Sequence, residues 1–183
     1  YAHLPQGLRA PAGDQTGRKV RVLRDRGSLV PVAVAAAAAA GVAMLGGTLT
    51  DLGPWYQSLA KPDWTPPPAA FPIAWTIILA LAALAAVTAW RAAPNSRAVD
   101  ALIGLFALNG FLNIGWSLVF FRLQRPDWAM IELGALWLSI VALMIACARH
   151  SRPAALLLVP YLAWVGVAGA LNWEIVRLNG PFG

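Results

Sequence analysis

Cysteine, histidine and charged residues are scarce in this chain of 183 residues, and each shortage excludes a class of protein. The single cysteine, Cys147, excludes a disulfide framework and a cysteine-based metal site. The two histidines, His3 and His150, lie far apart and offer no clustered ligands. Charged residues make up 12% of the chain and hydrophobic residues 59%, whereas soluble domains carry about 25% charged residues. This composition is typical of a membrane protein.

Five apolar segments of about 20 residues or more account for most of the chain, and each can cross about 30 Å of hydrocarbon as a helix. Since lipid offers the backbone no hydrogen-bond partner, spanning segments of this kind are helical. The connections between the last four segments are short, so that consecutive helices must be antiparallel neighbours. The sequence therefore predicts an all-α fold, an integral membrane five-helix up-down bundle with a long structured first loop. The segments are approximately 29–49, 70–90, 99–121, 128–148 and 153–178.

Residues 1–28 form a polar arm with six lysines and arginines and no apolar periodicity. A segment of this composition is expected to be disordered alone and to become ordered on a partner, here an acidic protein surface or anionic lipid headgroups. We therefore divide the chain into a basic N-terminal arm, 1–28, and a five-transmembrane-helix domain, 29–183. Nucleic acid is not an expected partner.

Lysine and arginine are more frequent on the side of the membrane that carries the arm, with ten residues against four. The positive-inside rule then predicts a cytoplasmic N-terminus and an outward first loop and C-terminus. Six of those ten residues belong to the arm, and the two sides are equal without it. The predicted location is the bacterial inner (cytoplasmic) membrane, with several passes.

The chain around the first loop, 55–75, cannot continue either neighbouring helix because it contains four prolines within seven residues. It nevertheless carries Trp55, Tyr56, Trp64 and Phe71, more aromatic surface than a solvated linker needs. Two interpretations remain open. The loop is a lid over one end of the bundle, or it is an interfacial anchor whose Trp and Tyr rings lie at headgroup level.

Two apolar segments carry stripes of polar and aromatic side chains at helical spacing. Buried amides are costly without hydrogen bonds, so these stripes either line a pocket or join neighbouring helices. In the fifth segment, Pro160 is expected to bend the helix. The stripes are Asn109, Asn113 and Trp116 in the third segment, and Tyr161, Trp164, Ala168 and Asn172 in the fifth.

No catalytic constellation is recognisable in the sequence, which has no Ser/His/Asp set, nucleotide-binding loop or metal-ligand spacing. We therefore predict no catalytic residue, no metal and no required cofactor, and a protein that is not an enzyme. Glu132 and Glu174 are the acids nearest the apolar segments, and we place both at the membrane interface.

Three motifs occur in order along the chain with the five-helix spacing intact. They are W-Y-x-x-L-x-K-P-x-W-x-P-P-x-x-x-F-x-x-x-W at 55–75, N-x-x-W-S-x-x-F-F at 113–121 and P-Y-x-x-W-x-x-x-A-x-x-L-N at 160–172, with Trp137 between the last two. Together they resemble the signatures of the tryptophan-rich sensory protein family, also called TspO/MBR, translocator protein or peripheral benzodiazepine receptor.

The resemblance implies a five-helix bundle, often a homodimer, that binds porphyrins such as protoporphyrin IX and haem, benzodiazepine-type ligands and, in animals, cholesterol. In photosynthetic bacteria the family is associated with control of carotenoid and bacteriochlorophyll synthesis. Its ligand pocket lies among the helices beneath the first loop. Carried over by motif, the ligand-binding wall comprises Trp55, Tyr56, Trp64, Trp75, Asn113, Trp116, Trp137, Tyr161, Trp164 and Ala168.

The chain also departs from the family pattern. Bacterial relatives often have Arg or Gly followed by Trp after the double proline, where this chain has Pro68, Ala69 and Ala70. One aromatic side chain is thereby missing from the first loop. Trp173 stands near the position of the central Tyr of the cholesterol motif, so we predict no specific sterol recognition.

Two functions from different classes follow. The first is a membrane tetrapyrrole (porphyrin)-binding sensor or transporter linked to pigment or tetrapyrrole regulation. The alternative is a structural accessory subunit of a larger membrane complex, with a photosynthetic pigment–protein complex as the first candidate. The expected partners are lipids, a tetrapyrrole such as porphyrin or haem, and either a second copy of the chain or other membrane subunits contacted by the arm.

Overall fold

The computed structural model describes residues 28–183, so that the predicted arm lies outside the described residues except for Ser28. The described part contains seven α-helices and no strand. Five helical units are long and apolar enough to cross a membrane, which confirms the predicted all-α five-helix architecture. The helices are α1 (Val30–Leu49), α2 (Pro54–Ser58), α3 (Ala70–Ala92), α4 (Ser96–Ser117), α5 (Pro126–Ala148), α6 (Arg152–Leu156) and α7 (Val159–Asn179).

Proline and capping side chains mark where most of these helices begin. Proline is tolerated in the first turn because its missing N–H would have no helical acceptor there. The Asn95 side chain accepts a hydrogen bond from the backbone N–H of Ala98 at 2.9 Å, which caps α4. Helical structure is interrupted at 157–158, just before Pro160, and this break separates α6 from α7. First-turn prolines occur in α1, α2, α5, α6 and α7.

The five spanning units close into a ring whose order differs from their order in the chain. Helix α1 packs between α3 and α4, α4 packs on α5, α5 packs on α7, and the α6–α7 unit returns to α3. Helix α5 has more buried residues than any other single helix, and they extend from Pro126 to Cys147. In α1 only Pro31 is buried, so most of that helix faces outward, where it can contact lipid.

Glycine allows the helices to approach closely at two points in this ring. A Cβ atom at Gly110 of α4 would lie 3.1 Å from a methyl carbon of Val42 in α1. A Cβ atom at Gly169 of α7 would lie 3.1 Å from a methyl carbon of Leu133 in α5. Neighbouring helices therefore occupy the space that a larger side chain would need.

The first connection, residues 50–69, is the long one, as predicted, and we call it the lid. Its short helix α2 is followed by Leu59, which is buried, and by Ala60. The Asn179 side chain holds Ala60 at both backbone groups: Ala60 N–H donates to Asn179 Oδ1 at 2.8 Å, and Asn179 Nδ2 donates to the Ala60 carbonyl at 2.8 Å. The first half of the lid is thus fixed to the end of α7.

We expect Gly169→Val to lower the melting temperature of the protein in detergent, because the added methyl groups would push α7 away from Leu133. The cost should be about 1–3 kcal/mol, as for overpacking in a core. Gly166→Val is the matched control, since a Cβ atom at Gly166 of the same helix meets nothing within 4 Å. Thermal unfolding followed by circular dichroism measures both variants. Equal melting temperatures would contradict this packing.

Candidate functional site

The end of α4 carries two consecutive phenylalanines that both point into the protein. Helix α4 continues as a π-helical turn over 118–122, and this wider turn buries Phe120 and Phe121 together. Their ring centroids are 4.8 Å apart, and the Trp116 ring lies 5.2 Å from Phe120 and 5.9 Å from Phe121. Turns of this type are frequent at functional sites. Here the turn builds an aromatic layer just beneath the lid.

The lid helix α2 covers this layer with two of the predicted site residues. The Trp55 ring meets Phe120 edge-on at 6.0 Å, and the Tyr56 ring lies 5.6 Å from Phe121. Lys61 fastens the helix from the other side, since its Nζ donates to the Tyr56 carbonyl at 2.6 Å and lies 4.4 Å from the Tyr56 ring centre. Desolvation by burial lowers the pKa of the Lys61 ammonium and raises the pKa of the Tyr56 hydroxyl. We call these four rings and that of Trp116 the aromatic cap.

A chain of hydrogen bonds crosses the bundle below the aromatic cap. Asn113 Nδ2 donates to the Tyr161 hydroxyl at 3.0 Å, and that hydroxyl donates to Asn109 Oδ1 at 3.0 Å. Asn109 Nδ2 in turn donates to Ser139 Oγ at 2.8 Å, and Ser139 donates to the Leu136 carbonyl at 2.7 Å. This polar chain joins α7, α4 and α5, and the side chains of its two amides are buried. It therefore both satisfies costly polar groups and holds three helices together.

A second polar link lies closer to the lid. Trp116 Nε1 donates to Asn172 Oδ1 at 3.3 Å, and Asn172 Nδ2 donates to the Pro126 carbonyl at 2.8 Å. Asn172 is only 1% exposed, so nearly all of its surface is used inside the protein. The stripes predicted on the third and fifth spanning segments thus face each other, and their hydrogen bonds join neighbouring helices, which is one of the two interpretations left open for them.

Between α3 and α7 the contact is made by aromatic rings. Trp75 meets Tyr161 edge-on with centroids 6.1 Å apart, and Phe71 meets Trp164 edge-on at 5.7 Å. Trp75, Trp164 and the nearby Ala168 are partly buried against the core. These two helices are also less closely packed than α5 and α7. We call this contact the aromatic seam.

Two predicted site residues stand apart from these clusters. Trp64 in the second half of the lid is 50% exposed, and Trp137 on α5 is 38% exposed. A cleft of about 480 Å³ lies at the lid end, lined in part by 123–125, Trp128 and Phe182. Of the ten predicted ligand-binding residues, this cleft contains Trp55. The predicted ligand-binding residues inside the bundle belong to the aromatic cap, the polar chain or the aromatic seam.

The Glu132 carboxylate is buried inside the bundle, which the sequence did not predict. Both of its carboxylate oxygens expose less than 1 Å² of surface, and neither has a hydrogen-bond partner among the described residues. Gly115 of α4 leaves the room for this carboxylate, because a Cβ atom there would lie 3.4 Å from Oε1. Glu174, in contrast, pairs with Arg177 at the end of α7, as suits an interfacial acid.

Several residues of the site were not singled out by sequence reasoning. Phe120 and Phe121 belong to the second motif but have no period that predicts a π-helical turn. Ser139 is one serine within an apolar helix, and only its contact with Asn109 reveals its part in the polar chain. Asn179 lies 119 residues from Ala60, so that no local pattern predicts its hold on the lid.

Comparison with known proteins agrees with this architecture. The sequence profile described as "TspO/MBR family" matches residues 33–178. "Tryptophan-rich protein TspO" of Chlorobaculum tepidum is 44% identical, over 68% of this chain and 79% of its own. "Tryptophan-rich sensory protein" of Cereibacter sphaeroides is 35% identical, over 78% and 87%. "Translocator protein" of Bos taurus is 33% identical, over 68% and 75%.

We expect Tyr161→Phe to destabilise the bundle, because Asn113 Nδ2 would lose its acceptor and Asn109 Oδ1 its donor. Each buried group left unpaired costs about 1–3 kcal/mol. Thr88→Val is the control: it also removes one hydroxyl, but Thr88 donates only within its own helix, to the Leu84 carbonyl. Thermal unfolding in detergent gives the comparison. A loss for Tyr161→Phe no greater than that for Thr88→Val would contradict the importance of the polar chain.

Proposed function

Because this chain belongs to the TspO/MBR family, we propose that it is a multi-pass membrane protein that binds a tetrapyrrole and acts as a sensor or transporter rather than as an enzyme. The observation that carries the proposal is the aromatic seam between Trp75 and Phe71 on α3 and Tyr161 and Trp164 on α7. Names of relatives that mention sensing and translocation support the same class. Control of pigment or tetrapyrrole metabolism is the accompanying proposal.

A large flat apolar ring suits a seam that is itself built of rings. An edge-to-face contact such as Trp75–Tyr161 stabilises the protein by about 0.5–1.5 kcal/mol in addition to the burial of its surface area. A ligand ring that replaces this contact with stacking therefore gains a comparable energy. The polar chain behind the seam offers a small number of fixed polar groups, which is the usual composition of a ligand site. We propose that protoporphyrin IX or haem enters here as α3 and α7 part beneath the lid.

The ten residues of the predicted ligand-binding wall contribute to this proposal unequally. Trp75, Tyr161, Trp164 and Ala168 would contact the ring directly, with Asn113 behind them through its bond to Tyr161. Trp55, Tyr56 and Trp116 would close the site from above as members of the aromatic cap. Trp64 and Trp137 are more exposed, and we assign them to the path that the ligand follows between lipid and site.

The membrane setting completes the proposal. We place the protein in the bacterial inner membrane with the N-terminus cytoplasmic and the lid outward, following the lysine and arginine distribution of the sequence. The outward face of α1 carries exposed apolar side chains such as Met44 and Leu45, which suit lipid or a second membrane-spanning partner. We propose that this partner is a second copy or another membrane subunit, and that the basic arm contacts anionic headgroups or that subunit.

We expect the purified protein to bind protoporphyrin IX with micromolar affinity, which corresponds to about −8 kcal/mol. Trp164→Ala should weaken binding by roughly 1–3 kcal/mol, because it removes one wall of the aromatic seam. Trp173→Ala is the matched control, since Trp173 lies on the same helix with 60% of its surface exposed. Quenching of tryptophan fluorescence, followed as a titration, measures all three proteins.

Non-saturating quenching by the unaltered protein would count against tetrapyrrole binding altogether. Saturable binding that Trp173→Ala weakens as much as Trp164→Ala would instead move the site from the seam to the outer surface.

We expect Asn179→Ala to speed the release of bound protoporphyrin IX, because the lid loses both hydrogen bonds that hold Ala60. Two neutral hydrogen bonds are worth roughly 1–3 kcal/mol together, so the dissociation rate should rise by about 5-fold or more. Asn95→Ala also removes a side-chain bond to the backbone, but at the opposite end of the bundle. Stopped-flow dilution measures the rates. An unchanged rate in Asn179→Ala would make the loop an interfacial anchor and not a lid.

A further inference from the structure

The cleft at the lid end of the bundle lies outside the aromatic seam and has no part in the function proposed above. Its volume is about 480 Å³, within the range of about 300–1,000 Å³ that is usual for ligand pockets. It lies where one spanning unit ends at Arg122 and the next begins at Pro126, the depth at which hydrocarbon gives way to lipid headgroups. Its lining combines three aromatic residues with two polar ones: Trp55, Trp128 and Phe182 with Gln124 and Arg125.

Arg125 is the charged residue of this cleft, and two neighbours hold its guanidinium in place. Nε donates to Asp127 Oδ1 at 2.8 Å, Nη2 donates to Asp127 Oδ2, and the guanidinium carbon lies 4.1 Å from the centre of the Trp128 ring. The two bonds to Asp127 use one edge of the planar group. The other edge, formed by Nη1 and the second N–H of Nη2, has the fork geometry that binds two oxygens of a phosphate.

Gln124 adopts a backbone conformation that favours glycine. Its φ is 53°, in the left-handed region, which is unfavourable for a long side chain. This conformation ends the π-helical turn, because it lets the Arg125 N–H donate to the Val119 carbonyl at 3.1 Å. Glycine would end the turn without strain, whereas this chain keeps an amide side chain at a position that lines the cleft. Strained positions of this kind cluster at ligand sites.

Charge and exposed apolar surface at the cleft fit a molecule that carries both a phosphate and hydrocarbon chains. Arg125 and Asp127 balance each other, but Arg122 adds a positive charge that no ion pair of the described chain neutralises. Leu123 and Trp128 are both more than half exposed at the same level. Because Trp rings at the ends of spanning helices lie at headgroup depth, this exposed surface faces the region where acyl chains begin.

We propose that this cleft binds the phosphate group of a membrane phospholipid. The phosphate oxygens accept hydrogen bonds from the free edge of Arg125 and from the Gln124 amide, and the acyl chains pass Trp128 into the bilayer. Nothing in this site depends on tetrapyrrole binding, because its residues lie outside the aromatic seam. Since Trp55 lines the cleft and also contacts Phe120 in the aromatic cap, a bound lipid supports the closed lid.

The test uses the full chain purified in detergent and follows its melting temperature as lipid is added to the micelles, because a ligand of the folded protein raises that temperature. Dioleoylphosphatidylglycerol should raise it saturably. Dioleoylglycerol, which has the same chains without the phosphate, and inorganic phosphate at the same concentration should not. An equal rise with dioleoylglycerol would overturn phosphate recognition. An equal rise with inorganic phosphate would make the ligand free phosphate and overturn the lipid site.

Arg125→Gln removes the guanidinium fork and should lower the apparent affinity for dioleoylphosphatidylglycerol about 10-fold or more, as for lost hydrogen bonds to a charged group. Arg177→Gln is the matched control: it also breaks an ion pair, with Glu174, but Arg177 does not line the cleft. Its lipid affinity should equal that of the unaltered protein. Equal losses in the two variants, or no loss in Arg125→Gln, would overturn the site.

Gln124→Gly decides the question if Arg125→Gln does not fold. Glycine suits the left-handed backbone at this position, so the turn should persist while the amide donor is lost. We expect the apparent affinity for dioleoylphosphatidylglycerol to fall severalfold with the helical content unchanged, as circular dichroism measures. An unchanged affinity in Gln124→Gly would remove the amide from the site, and the assignment of the phosphate to this cleft would fail with it.

Discussion

Hydrocarbon offers no hydrogen-bond partner, so a polar side chain inside this bundle needs a partner within the protein or is costly to bury. The Tyr161 hydroxyl meets that demand for three helices at once: it accepts from Asn113, donates to Asn109, and through Asn109 reaches Ser139 on α5. Because each of these bonds has a direction and a length, they define how α4, α5 and α7 face one another. Apolar packing alone, which a lipid tail could replace, would not define it.

The lid depends on that arrangement in its turn. The aromatic cap needs α4 in place, since Phe120 and Phe121 are presented by the π-helical turn at its end. The two hydrogen bonds to Ala60 need the end of α7 in place, because Asn179 lies there. The first half of the lid is thus held by two helices that the polar chain already joins. In its second half, Trp64 is 50% exposed.

The five spans and the long first connection could be predicted from hydropathy and proline, because the length of a membrane helix is set by the bilayer and not by its neighbours. The stripe of Asn109 and Asn113 was likewise predictable from spacing, but its partners were not. Ser139 is bonded to a residue 30 positions away in sequence, and Asn179 to one 119 positions away. Such pairs form only when the helices pack together in the folded bundle. The burial of the Glu132 carboxylate was not predictable from its own segment either, because it is Gly115 on another helix that leaves the room for it.

The central claim of this account is that a tetrapyrrole binds in the aromatic seam beneath the lid. An experimental structure of the protein with protoporphyrin IX tests it most directly. The account predicts density for a flat ring between Trp75 and Trp164, in contact with Tyr161 and with the edge-to-face contacts of the seam replaced by stacking. Density confined to the cleft beside Arg125 and Trp128, or to the outer face of α1 with the seam still closed, would contradict it.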